Sequence, residues 1–183
     1  SYSHIGLPSR AYTAFRKITK GSDVQLMMEH LGNWYLGRDE HQSAITIYRE
    51  LLKRFQNSTR NPLFQGRIVD AVDKSGGGIA VVKEVKALTK YFKESRKKLG
   101  QKSLNKKKSA SILKNLQDAE GEAENTLRRL ALAYHKDGKK LAAQSRAQKA
   151  YYTTAYELYK HYLEVFPEPK ADADVNYVFF MRF

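Results

Sequence analysis

Met28-Glu-His-Leu31-Gly32-Asn-Trp-Tyr35-Leu-Gly-Arg-Asp-Glu-His-Gln-Ser-Ala44-Ile-Thr-Ile-Tyr48-Arg-Glu-Leu51 is the stretch that decides the fold. Apolar residues recur at steps of three and four on both sides of a short polar turn, Leu36-Gly37-Arg38-Asp39, as in two packed helices. The spacing predicts a helix over Asp23–Tyr35 carrying Leu26, Met27, Leu31 and Tyr35. A second follows over Glu40–Phe55, burying Ala44, Ile47, Tyr48, Leu51, Leu52 and Phe55. Part of this unit repeats. Ala11-x-x-x-Phe15-x-x-Ile18 stands 33 residues before Ala44-x-x-x-Tyr48-x-x-Leu51, and the pattern returns as Ala155-x-x-x-Tyr159-x-x-Tyr162 ahead of Phe166-Pro167. The small residue lets two helices approach, the aromatic four positions on fills the groove, and the third residue meets the next repeat.

Working outward, Pro8–Thr19 reads as a short helix ended by Gly21, with Ser22 or Asp23 capping the next. After the loop at 57–62, Pro62 suits the first turn of a helix over Leu63–Lys74. Ser75-Gly76-Gly77-Gly78 reads as a flexible turn before a helix over Ile79–Leu99, with Val82, Val85, Leu88, Phe92 and Leu99 as its stripe. Gly100–Lys108 reads as a basic loop. A long helix over Ala110–His135 carries Ile112, Leu113, Leu116, Ala119, Ala123, Leu127, Leu130 and Tyr134, with Gly121 weakening its middle. Asp137-Gly138 reads as a turn, and Lys139–Phe166 as a helix stopped by Pro167 and Pro169. Ala171–Phe183 begins one more helix. Its apolar end (Tyr177 to Met181) and the missing initiator Met predict a piece of a longer protein, residues 1–183 being one helical-repeat segment.

Composition fits that class. Of 183 residues 42% are hydrophobic and four are proline, which favours helix and a buried core. The chain has no cysteine, which excludes a disulfide framework, a thiol nucleophile and a Cys-based zinc site. No apolar run approaches the roughly 18 residues that span a bilayer, and Ser1–Pro8 lacks the apolar core of a signal peptide. The net charge of +14 predicts attraction to polyanions or to an acidic protein face.

The residues Met28, Leu31-Gly32, Tyr35, Ala44, Tyr48 and Leu51 resemble the tetratricopeptide repeat (TPR) pattern of large apolar, Leu-Gly, Tyr, Ala, aromatic and apolar residues. Met28 stands where the family often has Trp, and Gln56 where it often has Pro. The resemblance covers 8–56 well and 139–183 in part, and 60–136 departs from it. It implies an all-α, α-α superhelix with some long helices that docks a protein partner in its concave face. It places Glu29, His30 and Asn33 among the groove contacts. One TPR subclass clamps a terminal carboxylate with Lys and Asn; Glu29 stands where that Lys would be, and would repel such a ligand. Leu127-Arg-Arg-Leu-Ala-Leu-Ala-Tyr-His135, Tyr159-Lys-His-Tyr-Leu-Glu-Val-Phe-Pro167 and Asn176-Tyr-Val-Phe-Phe-Met-Arg-Phe183 further resemble TPR proteins of bacterial cell envelopes, some tied to gliding motility. That resemblance implies a periplasmic scaffold in a trans-envelope complex; a cysteine-free chain suits the cytoplasm equally.

Between Lys83 and Lys108 eleven Lys or Arg face two Glu, a net of +9. Lys83, Lys86, Lys90, Lys93 and Lys97 recur at three- and four-residue steps and form one helical stripe. Like charges so spaced cost a helix a few tenths of a kcal/mol per pair, so a partner is expected. Nucleic acid, anionic polymer or lipid, or an acidic protein face would each supply it. Tyr152, Tyr156, Tyr159 and Phe166 read as one packed face, leaving Tyr151 as an exposed aromatic contact. The histidines (His4, His30, His41, His135, His161) lack metal-ligand spacing, and the glycine run lacks the Lys-Ser/Thr of a phosphate loop. The expectation is a non-enzymatic protein with no cofactor and no metal. It docks a protein partner through His30, Asn33 and Tyr151, with the basic stripe steering. The alternative is a polyanion binder acting through 83–108.

Overall fold

A computed structural model describes residues 7–99 and 106–166, and over these residues the chain is all-helical. A 3-10 turn at Pro8–Arg10 leads into α1 (Ala11–Ile18), followed by α2 (Ser22–Leu36), α3 (His41–Arg54), α4 (Asn61–Lys74), α5 (Gly78–Leu99), α6 (Lys106–Lys139) and α7 (Arg146–Val165). The expected helix at Ala171–Phe183 and residues 100–105 of the expected basic loop lie outside the described residues, as does His4. Lys106 to Lys108 form the first turn of α6 rather than loop.

Each helix packs chiefly on its sequence neighbours: α1 on α2, α2 on α3, α3 on α4, α4 on α5 and α6 on α7. A second set of contacts joins helices two apart, α4 with α6 and α5 with α7. One apolar cluster threads the stack through Phe15, Met28, Tyr48, Phe64, Phe92, Leu127 and Tyr162. The α2–α3 pair shows how the repeated pattern packs. Gly32 faces the Tyr48 ring so closely that an added Cβ would lie 2.8 Å from Cζ. The phenol in turn donates to Asn33 Oδ1 at 2.7 Å, so the ring is held at both ends. Ala44, Tyr48 and Leu51 are fully buried, and Ala155, Tyr159 and Tyr162 nearly so. The first copy differs. Ala11 and Phe15 are buried, but Ile18, the last residue of an eight-residue helix, is 72% exposed.

Local chemistry sets the connections. Asn61, buried at the start of α4, donates from Nδ2 to the carbonyls of Phe55 (3.2 Å) and Gln56 (2.9 Å), satisfying groups left unpaired after α3. The glycine run between α4 and α5 is a tight reversal. Gly76 and Gly78 have φ of +81° and +41°, and a Cβ on Gly77 would sit 2.5 Å from the Val72 carbonyl oxygen.

One boundary and several side-chain placements differ from expectation. α6 runs through Asp137-Gly138 instead of turning there, and α7 begins at Arg146 rather than Lys139. The start is set by a capping box: Ser145 Oγ accepts from the Gln148 N–H at 3.1 Å, and Gln148 Oε1 accepts from the Gln144 N–H at 2.8 Å. Gly138 serves a helix crossing, since a Cβ there would meet the Tyr152 ring at 2.8 Å. Gly121 does not interrupt α6. Leu26, Leu113 and Tyr156, assigned from periodicity to packed faces, are exposed; Val24 and Met28 take the inner face of α2.

Candidate functional site

The five stripe lysines lie on α5 and are all exposed, as their spacing predicts. Three already have partners. Lys93 Nζ is 2.7 Å from Glu164, Lys86 is 3.6 Å from Glu157, and Lys90 is 3.9 Å from Glu94. Glu157 and Glu164 stand two turns apart on α7, so the first two pairs form a ladder across the α5–α7 seam. The Lys93 hydrogen bond holds the Glu164 carboxyl below its usual range. Between the pairs sits His161, buried, with Nδ1 3.4 Å from Thr89 Oγ1. The Thr89 hydroxyl donates to the Val85 carbonyl, so the imidazole serves as donor from Nδ1, leaving Nε2 without a hydrogen-bond partner. Burial lowers the His161 pKa, against the pull of Glu164 and Glu157. Lys83 and Lys97 make no ion pair among the described residues.

The α2 contacts divide. Glu29 is buried and gripped by Arg60, whose Nε donates to Oε2 at 2.9 Å and whose Nη2 donates to Oε1. Arg60 also reaches Asn115 on α6, so the carboxylate joins three elements and is not presented to a groove. His30 and Asn33 are exposed, and Asn33 already accepts from Tyr48.

Tyr151 lies elsewhere, on a cleft of about 300 Å³ where the α4–α5 turn meets the end of α6 and the start of α7. Gly76 and Gly78 bring Ile79 to its edge, and the small Ala133 and Ala150 leave room between the helices. The Tyr134 and Tyr151 rings are 5.5 Å apart, inclined at 49°. Burial, and then the nearby Asp73, push the pKa of the Tyr134 phenol up. Ile79 is 76% and Tyr151 38% exposed, so two large apolar surfaces face solvent at one recess. Its two carboxylates are paired: Asp73 with Arg129 at 3.3 Å and Asp137 with Lys140 at 2.6 Å. Such a recess can hold an apolar side chain with polar groups at its rim.

His30 and Asn33 do not line this cleft, so the three expected contacts are not one site. The sequence reading missed Ile79 and Tyr134. Ile79 stands outside the buried stripe of its helix directly after three glycines, which is a usable signal. Tyr134 was assigned to packing alone. Among the described residues no group of three or more His, Asp or Glu is placed to hold a metal ion, and no helix is long and apolar enough to cross a membrane. The chain matches no protein-family model, and no curated protein and no solved structure is detectably similar to it.

Proposed function

We propose that this chain is a helical-repeat scaffold of the TPR kind that docks a protein partner and catalyses no reaction. The observation that carries the reading is the aromatic-walled cleft at Ile79, Tyr134 and Tyr151, which exposes apolar surface at a recess sized for a side-chain anchor. The stacking order is compatible with a superhelix, because α1 to α5 pack in succession and α4 and α5 also meet α6 and α7. The Gly32–Tyr48 interlock is the close approach that the repeat pattern implies. The polyanion alternative keeps Lys83 and Lys97 but is less favoured at Lys86, Lys90 and Lys93, which lie within 4 Å of carboxylates of the same chain.

The test is capture from source lysate on the immobilised chain and on its Ile79→Ser/Tyr151→Ser variant, with nuclease treatment, at about 0.1 M and 0.5 M salt. A defined protein retained by the parent and lost by the variant supports docking at the cleft. Recovery of nucleic acid alone, equal on both proteins and lost at high salt, would refute it.

A further inference from the structure

Cations that make no ion pair among the described residues gather at several places, such as Arg16, Lys17 and Lys20 around the end of α1 and Lys97, Lys98, Lys106 and Lys107 where α5 gives way to α6. One such group borders the cleft. The corner joining α6 to α7, residues 136–149, carries Lys136, Lys139, Lys140, Arg146 and Lys149, all exposed, against Asp137 alone. Lys140 pairs with Asp137. The other four make no ion pair among the described residues. On the α5–α7 seam, by contrast, carboxylates of the same chain meet the lysines. This corner frames the aromatic cleft, because Asp137, Ala150 and Tyr151 belong to both stretches or adjoin them. Arg146 lies one helical turn before Ala150, on the same face of α7, and i,i+4 neighbours stand only about 6 Å apart at Cβ.

Resting on the docking reading above, we propose that the occupant of the cleft is an acidic segment of the partner protein, which inserts one bulky apolar side chain beside Ile79, Tyr134 and Tyr151. The interior suits the apolar anchor. Its walls are aromatic and aliphatic, and its two carboxylates are each met by a cation, Arg129 or Lys140. The rim selects the flanks. Four cations that make no ion pair among the described residues attract carboxylates and repel a basic segment, and the net charge of +14 acts in the same direction at longer range. Like charges this close disfavour the corner, a cost that an acidic partner would remove.

A random twelve-residue peptide display library, selected on the immobilised chain and counter-selected on its Ile79→Ser/Tyr151→Ser variant, tests this. Both side chains are exposed, so the variant keeps its helices, which circular dichroism verifies. The expected survivors carry a large apolar residue flanked by Asp or Glu. Synthetic copies should bind about tenfold more weakly to Arg146→Glu/Lys149→Glu and lose affinity as salt rises. Glutamate in the first turn of α7 suits the helix dipole, so that variant also stays folded. Cleft-dependent survivors that are neutral or basic would overturn the acidic assignment and leave the docking reading standing. Selection yielding no cleft-dependent peptide would overturn both. Acidic peptides without an apolar anchor, bound equally by the cleft variant, would make the corner a polyanion surface and refute the inference.

Discussion

Replacing Gly32 with alanine isolates the contact that defines the repeat. The added methyl would lie 2.8 Å from Tyr48 Cζ and 3.1 and 3.2 Å from its Cε atoms, about 0.6 Å short of ordinary contact at the closest point. The ring has little room to yield, because it is fully buried, packs near Phe64 at 6.2 Å and is tethered through its hydroxyl to Asn33. Overpacking of this kind costs about 2–3 kcal/mol. Alanine regains about 1 kcal/mol as the better helix former. The net expectation is a loss of about 1–2 kcal/mol, or roughly 3–6 °C in Tm for a chain of this size. Gly121→Ala is the control: it also sits inside a helix, but its Cβ would meet nothing within 4 Å, so it should stabilise by about 0.5–1 kcal/mol. Urea and thermal unfolding of both variants give the comparison. The Gly32→Ala/Tyr48→Leu double variant should lose less than the sum of its parts, with coupling near 1 kcal/mol. If Gly32→Ala proves as stabilising as Gly121→Ala, the close approach of α2 to α3 is not there.

Three further outcomes follow from particular groups. His161 and His135 both have folded-state pKa values below the ordinary 6.5, chiefly through burial. Between that value and the lower folded one, the unfolded chain binds more protons. Stability should therefore fall as pH drops below about 6.5, and His161→Gln should flatten its share of the slope in urea titrations between pH 7 and 5. Arg60→Ala leaves the Glu29 carboxylate buried without its cation and should cost about 2–3 kcal/mol by the same unfolding assay. A Glu29→Gln background that left this cost unchanged would contradict the explanation. Ser145→Ala removes the cap of α7 and should cost about 1 kcal/mol, with faster amide exchange confined to its first turn.

Legibility in the sequence followed the range of the interaction. Helix identity is a local property, and the periodicity of Ala44, Ile47, Tyr48 and Leu51 fixed α3 without help from the rest of the chain. Boundaries depended on side-chain hydrogen bonds. Ser145-Arg-Ala-Gln148 is readable as a helix cap, but Asp137-Gly138 is the stronger turn signal in sequence and places the start of α7 seven residues early. Gly138 misled because a glycine reads alike in a turn and at a helix crossing; only the position of Tyr152 tells them apart. Ile18 and Leu26 have the right spacing to be buried, yet periodicity does not reveal whether a neighbouring helix covers that face. The cleft was half visible: Tyr151 was singled out as exposed, whereas its companions Ile79 and Tyr134 come from two other helices.

Charge composition does not by itself say where a basic chain meets a partner. A stripe of five lysines and a net of +14 invite the view that the stripe is the binding surface. Position along one helix, however, does not reveal what the facing helix supplies. Glu157 and Glu164 come from more than sixty residues away and turn the stripe into part of the α5–α7 seam. Exposed pairs of this kind contribute little stability each, but they offset part of the charge that the stripe shows to an outside partner. Among the cations that make no ion pair among the described residues are those of the α6–α7 corner, a cluster that looks less orderly in sequence because it spans a chain reversal. A partner of opposite charge is drawn to cations that the fold does not answer, and one group of these borders the recess where Ile79 and Tyr151 are exposed.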